Sequence, residues 1–154
     1  MLVKFTLNNR LVEIDVKPNE LLLNVLRDRF KIKSVKYGCG IGECSLCTVL
    51  LDNNPVPSCL ILAVDVNGRD VKTIEAFEND SIMNMIQRIV LENSSVQCGF
   101  CTPSIILVIR RMIDENVDGL DKAREYLKGN LCRCTGYISI LNSLIEIIKN
   151  IYRK

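Results

Sequence analysis

Eight cysteines, and no histidine, are the residues of this chain whose types could support metal or redox chemistry. They fall into two groups of four, Cys39, Cys44, Cys47 and Cys59, followed by Cys98, Cys101, Cys132 and Cys134. The lack of histidine removes the usual general base and the commonest zinc partner. Eight cysteines form either a disulfide framework or a set of metal ligands, and the cellular compartment decides between the two.

The N-terminal sequence favours a cytoplasmic protein. It has no basic stretch followed by an apolar segment and a small-residue cleavage site. The longest apolar runs, at 59–64 and 105–109, are far shorter than the roughly 20 residues that cross a bilayer. Because cytosolic reductants keep thiols free, we expect the cysteines to be metal ligands.

The first group has the spacing C-x4-C-x2-C-x11-C, which is that of plant-type ferredoxins and predicts a [2Fe-2S] cluster. Gly38, Gly40 and Gly42 would let the loop curl around inorganic sulfide, because glycine adopts positive φ without steric cost. A glycine-rich turn with free buried cysteines would leave the spacing unexplained. A four-cysteine zinc site usually consists of two C-x2-4-C pairs, and Cys59 has no neighbouring cysteine.

The second group consists of a C-x2-C pair and a C-x-C pair, each just before a predicted helix. Thr102 is predicted to cap one helix, with Pro103 at its first position. Two helix N-termini would then face one site and stabilise an anionic metal–thiolate centre. This group taken alone also leaves a zinc site open.

The elements that position these groups differ between the two halves of the chain. Apolar alternation and turn residues predict strands at 2–7, 11–16, 48–51, 55–60 and 71–74, with one helix after Pro18. Helical periodicity predicts helices at 81–92, 103–115, 121–127 and 138–152. We therefore predict two closely packed domains, at residues 1–77 and 78–154.

Three segments resemble the iron-sulfur subunit of molybdenum hydroxylases, the family of xanthine dehydrogenases, aldehyde oxidoreductases and aerobic carbon monoxide dehydrogenases. They are YGCGIGECSLCTV at 37–49, QCGFCTP at 97–103 and LCRCTGY at 131–137. Shorter matches at 58–60 and 73–75 extend the resemblance over nearly the whole chain.

The resemblance implies an α+β fold, in which a β-grasp plant-type ferredoxin domain precedes a four-helix bundle, each with one [2Fe-2S] cluster. It implies a non-catalytic electron-transfer subunit, bound to a large molybdopterin subunit and a medium FAD subunit. Gln97 and Cys134 resemble positions that contact the pterin. For Gln97 the alternative is a polar residue at a helix C-terminus that faces water.

Two residues depart from the family pattern, which usually has glycine where this chain has Ser45 and often glycine where it has Ser104. Ser45 adds a Cβ atom and a hydroxyl to the first loop, so we expect a change in the local backbone or in the hydrogen bonds to the cluster. Neither residue replaces a proposed ligand.

Other classes of function are disfavoured by the composition. The formal charge is +2 and aromatic residues make up 5% of the chain, which does not fit nucleic-acid binding or an anionic membrane surface. An independent two-cluster ferredoxin and a zinc-binding structural module are the competing interpretations.

Overall fold

A mixed five-stranded sheet and four longer helices form the α+β fold of the computed structural model, which describes residues 1–152. The strands are β1 Leu2–Leu7, β2 Arg10–Asp15, β3 Thr48–Leu51, β4 Asn54–Pro57 and β5 Asp70–Lys72. The helices are α1 Leu22–Asn24, continued by a π-helical turn at Val25–Arg29, then α2 Ser81–Glu92, α3 Thr102–Asp114, α4 Leu120–Tyr126 and α5 Ile138–Tyr152. The predicted α+β class is confirmed.

The sheet has the order β2-β1-β5-β3-β4. Only the contact between β1 and β5 is parallel within the described residues. The β1–β2 hairpin turns at Asn8 and Asn9, whose φ angles of 49° and 65° suit a tight two-residue hairpin turn. Val3, Phe5 and Leu7 alternate into the core, as the sequence pattern predicts.

Two predicted strands end earlier than expected. The strand predicted at 55–60 stops at Pro57, and Ser58–Leu60 forms a 3-10 turn. The backbone amide and the hydroxyl of Ser58 both donate to the Cys47 carbonyl, at 3.2 and 2.7 Å, and this turns the chain out of the sheet. The strand predicted at 71–74 likewise stops at Lys72, before a 3-10 turn at Ile74–Phe77.

The helices of the second half follow the prediction closely. The predicted bounds of α2 and α5 match the structure, and α3 and α4 each begin and end one residue earlier than predicted. Asp80 caps α2 by accepting a hydrogen bond from the Met83 amide at 2.7 Å. Across residues 1–152, the structure has no helix with the length and hydropathy needed to span a membrane.

Strand β3 lies between two hydrophobic cores. Val49 and Leu51 join the core beneath the sheet, with Phe5 and Leu26. Leu50 points to the opposite face and joins the core built by the helices α2, α3, α4 and α5. Because successive side chains of a strand alternate between faces, one short strand packs against both halves of the chain. The two halves therefore pack directly against each other.

Candidate metal centres

The first group of cysteines lies at one edge of the sheet. Cys39 and Cys44 belong to the loop before β3, Cys47 directly precedes that strand, and Cys59 lies in the 3-10 turn after β4. The double hydrogen bond from Ser58 to the Cys47 carbonyl holds Cys59 close to Cys47. Cys39 is exposed, whereas the other three thiols of this first site are buried.

The thiols of the first site form two pairs. The backbone amide of Cys39 donates to the Cys44 sulfur at 3.3 Å, and the Cys44 thiol helps to lower the pKa of Cys39. Cys47 and Cys59 form the second pair, in which the neighbouring Cys47 thiol adds to the burial that raises the pKa of Cys59. The Ile41 amide adds a donor to the Cys39 sulfur at 3.4 Å. Backbone donors thus point at sulfur in the loop where the sequence predicts a nest for an anionic group.

The second site is formed by the other four cysteines, and it shows the same arrangement in pairs. The sulfur atoms of Cys98 and Cys134 lie 3.4 Å apart. The Cys132 thiol neighbours Cys101 and adds to the burial that raises the pKa of Cys101. The structure therefore brings together cysteines from two distant segments of the chain, as the prediction requires.

The start of α3 differs from the prediction in one respect. Cys101, and not Thr102, occupies the N-cap position, so Thr102 and Pro103 are the first two helical residues. No side chain caps this helix; instead, the Ser104 hydroxyl donates to the Cys101 carbonyl at 2.9 Å. Helix α3 thus begins at a proposed ligand, Cys101. The partial positive charge of the helix N-terminus therefore lies where an anionic centre would bind.

Two residues that the sequence analysis did not assign to the site shape the loop before α5. The Thr135 hydroxyl donates to the Cys132 sulfur at 3.1 Å. The Tyr137 hydroxyl accepts a hydrogen bond from the Cys132 amide at 2.9 Å, and Tyr137 has a positive φ of 71°. Both residues belong to the motif at 131–137 quoted above, so the motif could have indicated that they are part of the site.

The arrangement in pairs fits a [2Fe-2S] group. Such a group contains two iron atoms, and four cysteines divide between them as two pairs. A zinc ion instead requires four ligands around one point. Each set of thiols therefore suits a two-metal group held by two pairs.

The pKa values of the thiols follow their surroundings. The Ile41 amide lowers the pKa of Cys39 to about 7, with a further contribution from its hydrogen bond with Cys44. Burial raises the pKa of Cys59 to about 11 and that of Cys101 to about 12. Because metal binding requires thiolates, the lowered pKa of the exposed Cys39 thiol favours the ligand form at neutral pH.

A cavity of about 530 Å³ lies between the two sites. Cys39 and Cys44 line one side, and Cys98, Cys101 and Cys132 line the other. A backbone hydrogen bond of 3.1 Å from the Leu131 amide to the Cys44 carbonyl joins the two walls. The sites therefore face each other across a short gap, which the sequence alone did not predict.

The two departures from the family pattern have clear structural outcomes. Ser45 adopts a φ of 53°, a region that costs a non-glycine residue about 1 kcal/mol or more. Its hydroxyl lies 3.8 Å from the position that a Cβ atom on Gly129 would occupy, so it faces the loop that leads into the second site. Ser104 is buried, and its hydroxyl is hydrogen-bonded to a carbonyl.

Replacing Gly38 by alanine should empty most of the first site. A Cβ atom at Gly38 would lie 2.8 Å from the Cys44 sulfur and 2.8 Å from Leu46 Cδ1, so a proposed ligand must move. Iron content and the EPR signal of the first centre measure the loss. Gly68→Ala is the control, because Gly68 has a φ of 75° but no atom within 4 Å of its Cβ position. An equal loss in Gly68→Ala would mean that general destabilisation, not displacement of Cys44, explains the result.

Comparison with known proteins gives the same assignment. A family model described as a 2Fe-2S iron-sulfur cluster binding domain matches residues 5–80, and one described as a [2Fe-2S] binding domain matches residues 73–144. The small FeS subunit of nicotinate dehydrogenase from Eubacterium barkeri is 40% identical over 90% of this chain and 88% of its own length. The iron-sulfur-binding subunit of xanthine dehydrogenase from Escherichia coli O157:H7 is 35% identical over 96% of this chain and 94% of its own length.

The fold gives an independent match. A chain in the crystal structure of quinoline 2-oxidoreductase from Pseudomonas putida 86 superimposes with a TM-score of 0.90. The match covers 99% of this chain and 96% of that chain, at 33% identity. With two [2Fe-2S]-binding domains and relatives that match it nearly end to end, this chain belongs to the family of electron-transferring iron-sulfur subunits of the molybdenum hydroxylases.

Proposed function

We propose that this subunit relays electrons from a molybdopterin site on a large subunit to FAD on a medium subunit, through the second site and then the first. The main support for this proposal is that eight thiols form two sets of two pairs, and that the two sets face each other across a cavity of about 530 Å³. When bound, each [2Fe-2S] group accepts one electron, so two groups can divide an electron pair. The chain supplies the ligands and the short separation between them.

The proposed ligands are the eight cysteines. Cys39 and Cys44 would hold one metal of the first site, and Cys47 and Cys59 the other. Cys98 and Cys134 would hold one metal of the second site, and Cys101 and Cys132 the other. The pairs of neighbouring thiols described above support this division. Because all ligands are cysteine, we expect low reduction potentials, nominally about −400 mV for the plant-type site.

We further propose that residues 1–77 form a β-grasp ferredoxin-like domain and residues 78–154 a four-helix [2Fe-2S]-binding domain. The parallel contact between β1 and β5, with α1 and its π-helical turn packed against the sheet, supports the first assignment. The shared core of α2, α3, α4 and α5 supports the second. The overlap of the two family matches at residues 73–80 agrees with a boundary in this region.

The second site is proposed to face the molybdopterin subunit. Gln97, Cys98 and Cys134 are all exposed, so this end of the second site is open to a partner. Gln97 lies in the loop after α2, beyond the helix end at Glu92. Its side chain offers both an amide donor and a carbonyl acceptor to a polar pterin edge. The first site, with exposed Cys39, would then face FAD on the medium subunit.

Gln97→Ala tests this orientation in the purified complex. Both EPR signals should persist, while pterin retention or electron arrival at the second site should fall. Leaving a buried pterin atom without its hydrogen-bond partner costs about 1 to 3 kcal/mol. Retention is measured by quantifying the pterin released from the complex, and electron arrival by rapid-freeze EPR.

Ile41→Ala is the matched control, since Ile41 is 68% exposed and lies in the loop of the first site. It should leave pterin retention unchanged. Equal effects from the two substitutions would count against the orientation. A structure of the complex with Cys39 nearer than Cys134 to the pterin would refute it.

A further inference from the structure

A single lysine connects the loops of the two sites. The Lys36 amide donates to the carbonyl of Leu46, which lies between Cys44 and Cys47, at 3.2 Å. Its side chain reaches the other loop, where the ammonium nitrogen lies 5.6 Å from the ring centroid of Phe100. Phe100 lies between Cys98 and Cys101. Lys36 therefore contacts the loop of the first site through its backbone amide, and the loop of the second site through its ammonium group.

The position of the Lys36 charge is fixed by contacts on two sides. The ammonium group donates to the Lys33 carbonyl at 2.8 Å and lies over the Phe100 ring. Both contacts leave the positive charge intact, because neither partner carries a full negative charge. Among residues 1–152, no carboxylate oxygen lies within the 4.0 Å ion-pair distance of this nitrogen.

The Lys36 charge lies beside the cavity between the two sites, because Leu46 and Phe100, the residues that it contacts in the two loops, both line that cavity. Arg133 is the only charged side chain that lines the cavity between the sites in the described part of the chain. Each site gains a unit of negative charge when its [2Fe-2S] group takes up an electron. At a protein surface the effective dielectric constant is about 20, so a fixed cation nearby favours the more negative state.

We propose that Lys36 is a shared electrostatic determinant, which raises the electron affinity of both sites and so partly offsets the repulsion between two electrons on neighbouring sites. The proposal rests on the proposed function, because it requires a [2Fe-2S] group in each set of cysteines. Lys36 would bind neither group and would act only through its charge.

Lys36→Met tests the proposal, since methionine keeps an unbranched apolar side chain and removes the charge. Iron content and the two EPR signals should match those of the unmodified protein. In a redox titration followed by EPR, the electron affinity of each site should fall about fivefold, equivalent to about 40 mV for a one-electron couple. The difference should shrink at high salt, because mobile ions screen the charge.

Two further variants separate charge from packing. Lys36→Arg keeps a cation that can lie over the ring, and it should restore most of the electron affinity. Lys33→Met removes an exposed lysine three positions away, whose ammonium group contacts the Arg27 carbonyl at 3.1 Å, and it should shift neither site by more than a small fraction of the Lys36→Met effect.

The outcomes distinguish this proposal from the proposed function. Absence of iron-sulfur EPR signals in the unmodified protein would overturn the proposed function itself. Two intact signals with unchanged potentials in Lys36→Met would overturn only the role of Lys36. Equal shifts in Lys36→Met and Lys36→Arg, or in Lys36→Met and Lys33→Met, would also overturn it, because the effect would then not depend on a charge at this position.

Discussion

Replacing Cys101 by serine should lower the iron content from about four to about two atoms per chain, because only the second site loses a ligand. Acid-labile sulfide should fall in the same proportion, and one of two EPR signals should disappear from the reduced protein. Cys44→Ser should remove the other signal. Both cysteines are buried, so water or an external thiol cannot easily reach the ligand position that the lost thiolate leaves empty.

The two substitutions control for each other, since each leaves the opposite set of four cysteines complete. If either variant lost both signals while circular dichroism showed a folded protein, the division into two sets of four would be wrong. Stoichiometric zinc without labile sulfide in the unmodified protein would refute the iron-sulfur assignment altogether.

Replacing Asp80 by alanine should lower the unfolding free energy by about 2 to 4 kcal/mol, through loss of a helix cap and of an ion pair. Asp80 caps α2, and it also binds Arg110 of α3 at 2.9 Å. The Arg110 side chain is only 11% exposed, so its charge depends on its two partners, Asp80 and Asp114. Thermal unfolding measures the loss, expected as a decrease in Tm of about 5 to 15 °C.

Asp121→Ala is the matched control. Asp121 lies in the first turn of α4 and, like Asp80, pairs with an arginine, but its side chain is 97% exposed. Exposed pairs contribute about 0 to 1 kcal/mol, so the control should unfold close to the unmodified protein. Similar decreases in both variants would mean that neither the cap nor the buried arginine explains the effect.

The contribution of Asp80 also has a predictable dependence on pH. Burial by itself would raise the pKa of Asp80, but hydrogen bonds from Arg110 and from the Met83 amide hold the pKa below the ordinary value of 3.8. The stabilisation is therefore complete above about pH 4 to 5 and is lost as the pH falls through the lower pKa of the folded state. The difference in Tm between Asp80→Ala and the unmodified protein should be the same at pH 7 and pH 5.

The local features of the fold could be predicted from sequence because they depend on neighbours in the chain. The alternation of Val3, Phe5 and Leu7 predicted β1, and helical periodicity predicted the bounds of α2 and α5. The strand ends were harder to predict. Strand β4 ends at Pro57 because Ser58 donates a hydrogen bond to the carbonyl of Cys47. Cys47 lies well before Ser58 in the chain, and no local sequence pattern indicates that contact.

The candidate sites were likewise predictable where they depend on local sequence, and not where they depend on long-range packing. Spacing and residue type predicted the two sets of cysteines, and the resemblance added the partner subunits. The way in which the thiols pair, and the gap between the two sites, depend on how distant loops pack. The hydrogen bond from Leu131 to Cys44 and the contact of Lys36 with Phe100 each join segments far apart in sequence. Such contacts leave no periodic signal in one sequence.

The packing of β3 between two cores implies that the chain unfolds as one cooperative unit, although it has two metal sites. A fragment that ends at residue 77 would keep its own core beneath the sheet but leave Leu50 without the helices that cover it. Leu46, Ile74 and Phe77, which pack against the same helices, would be uncovered with it. That fragment would expose a continuous apolar face and tend to aggregate, so the two sites cannot be separated simply by cutting the chain between them.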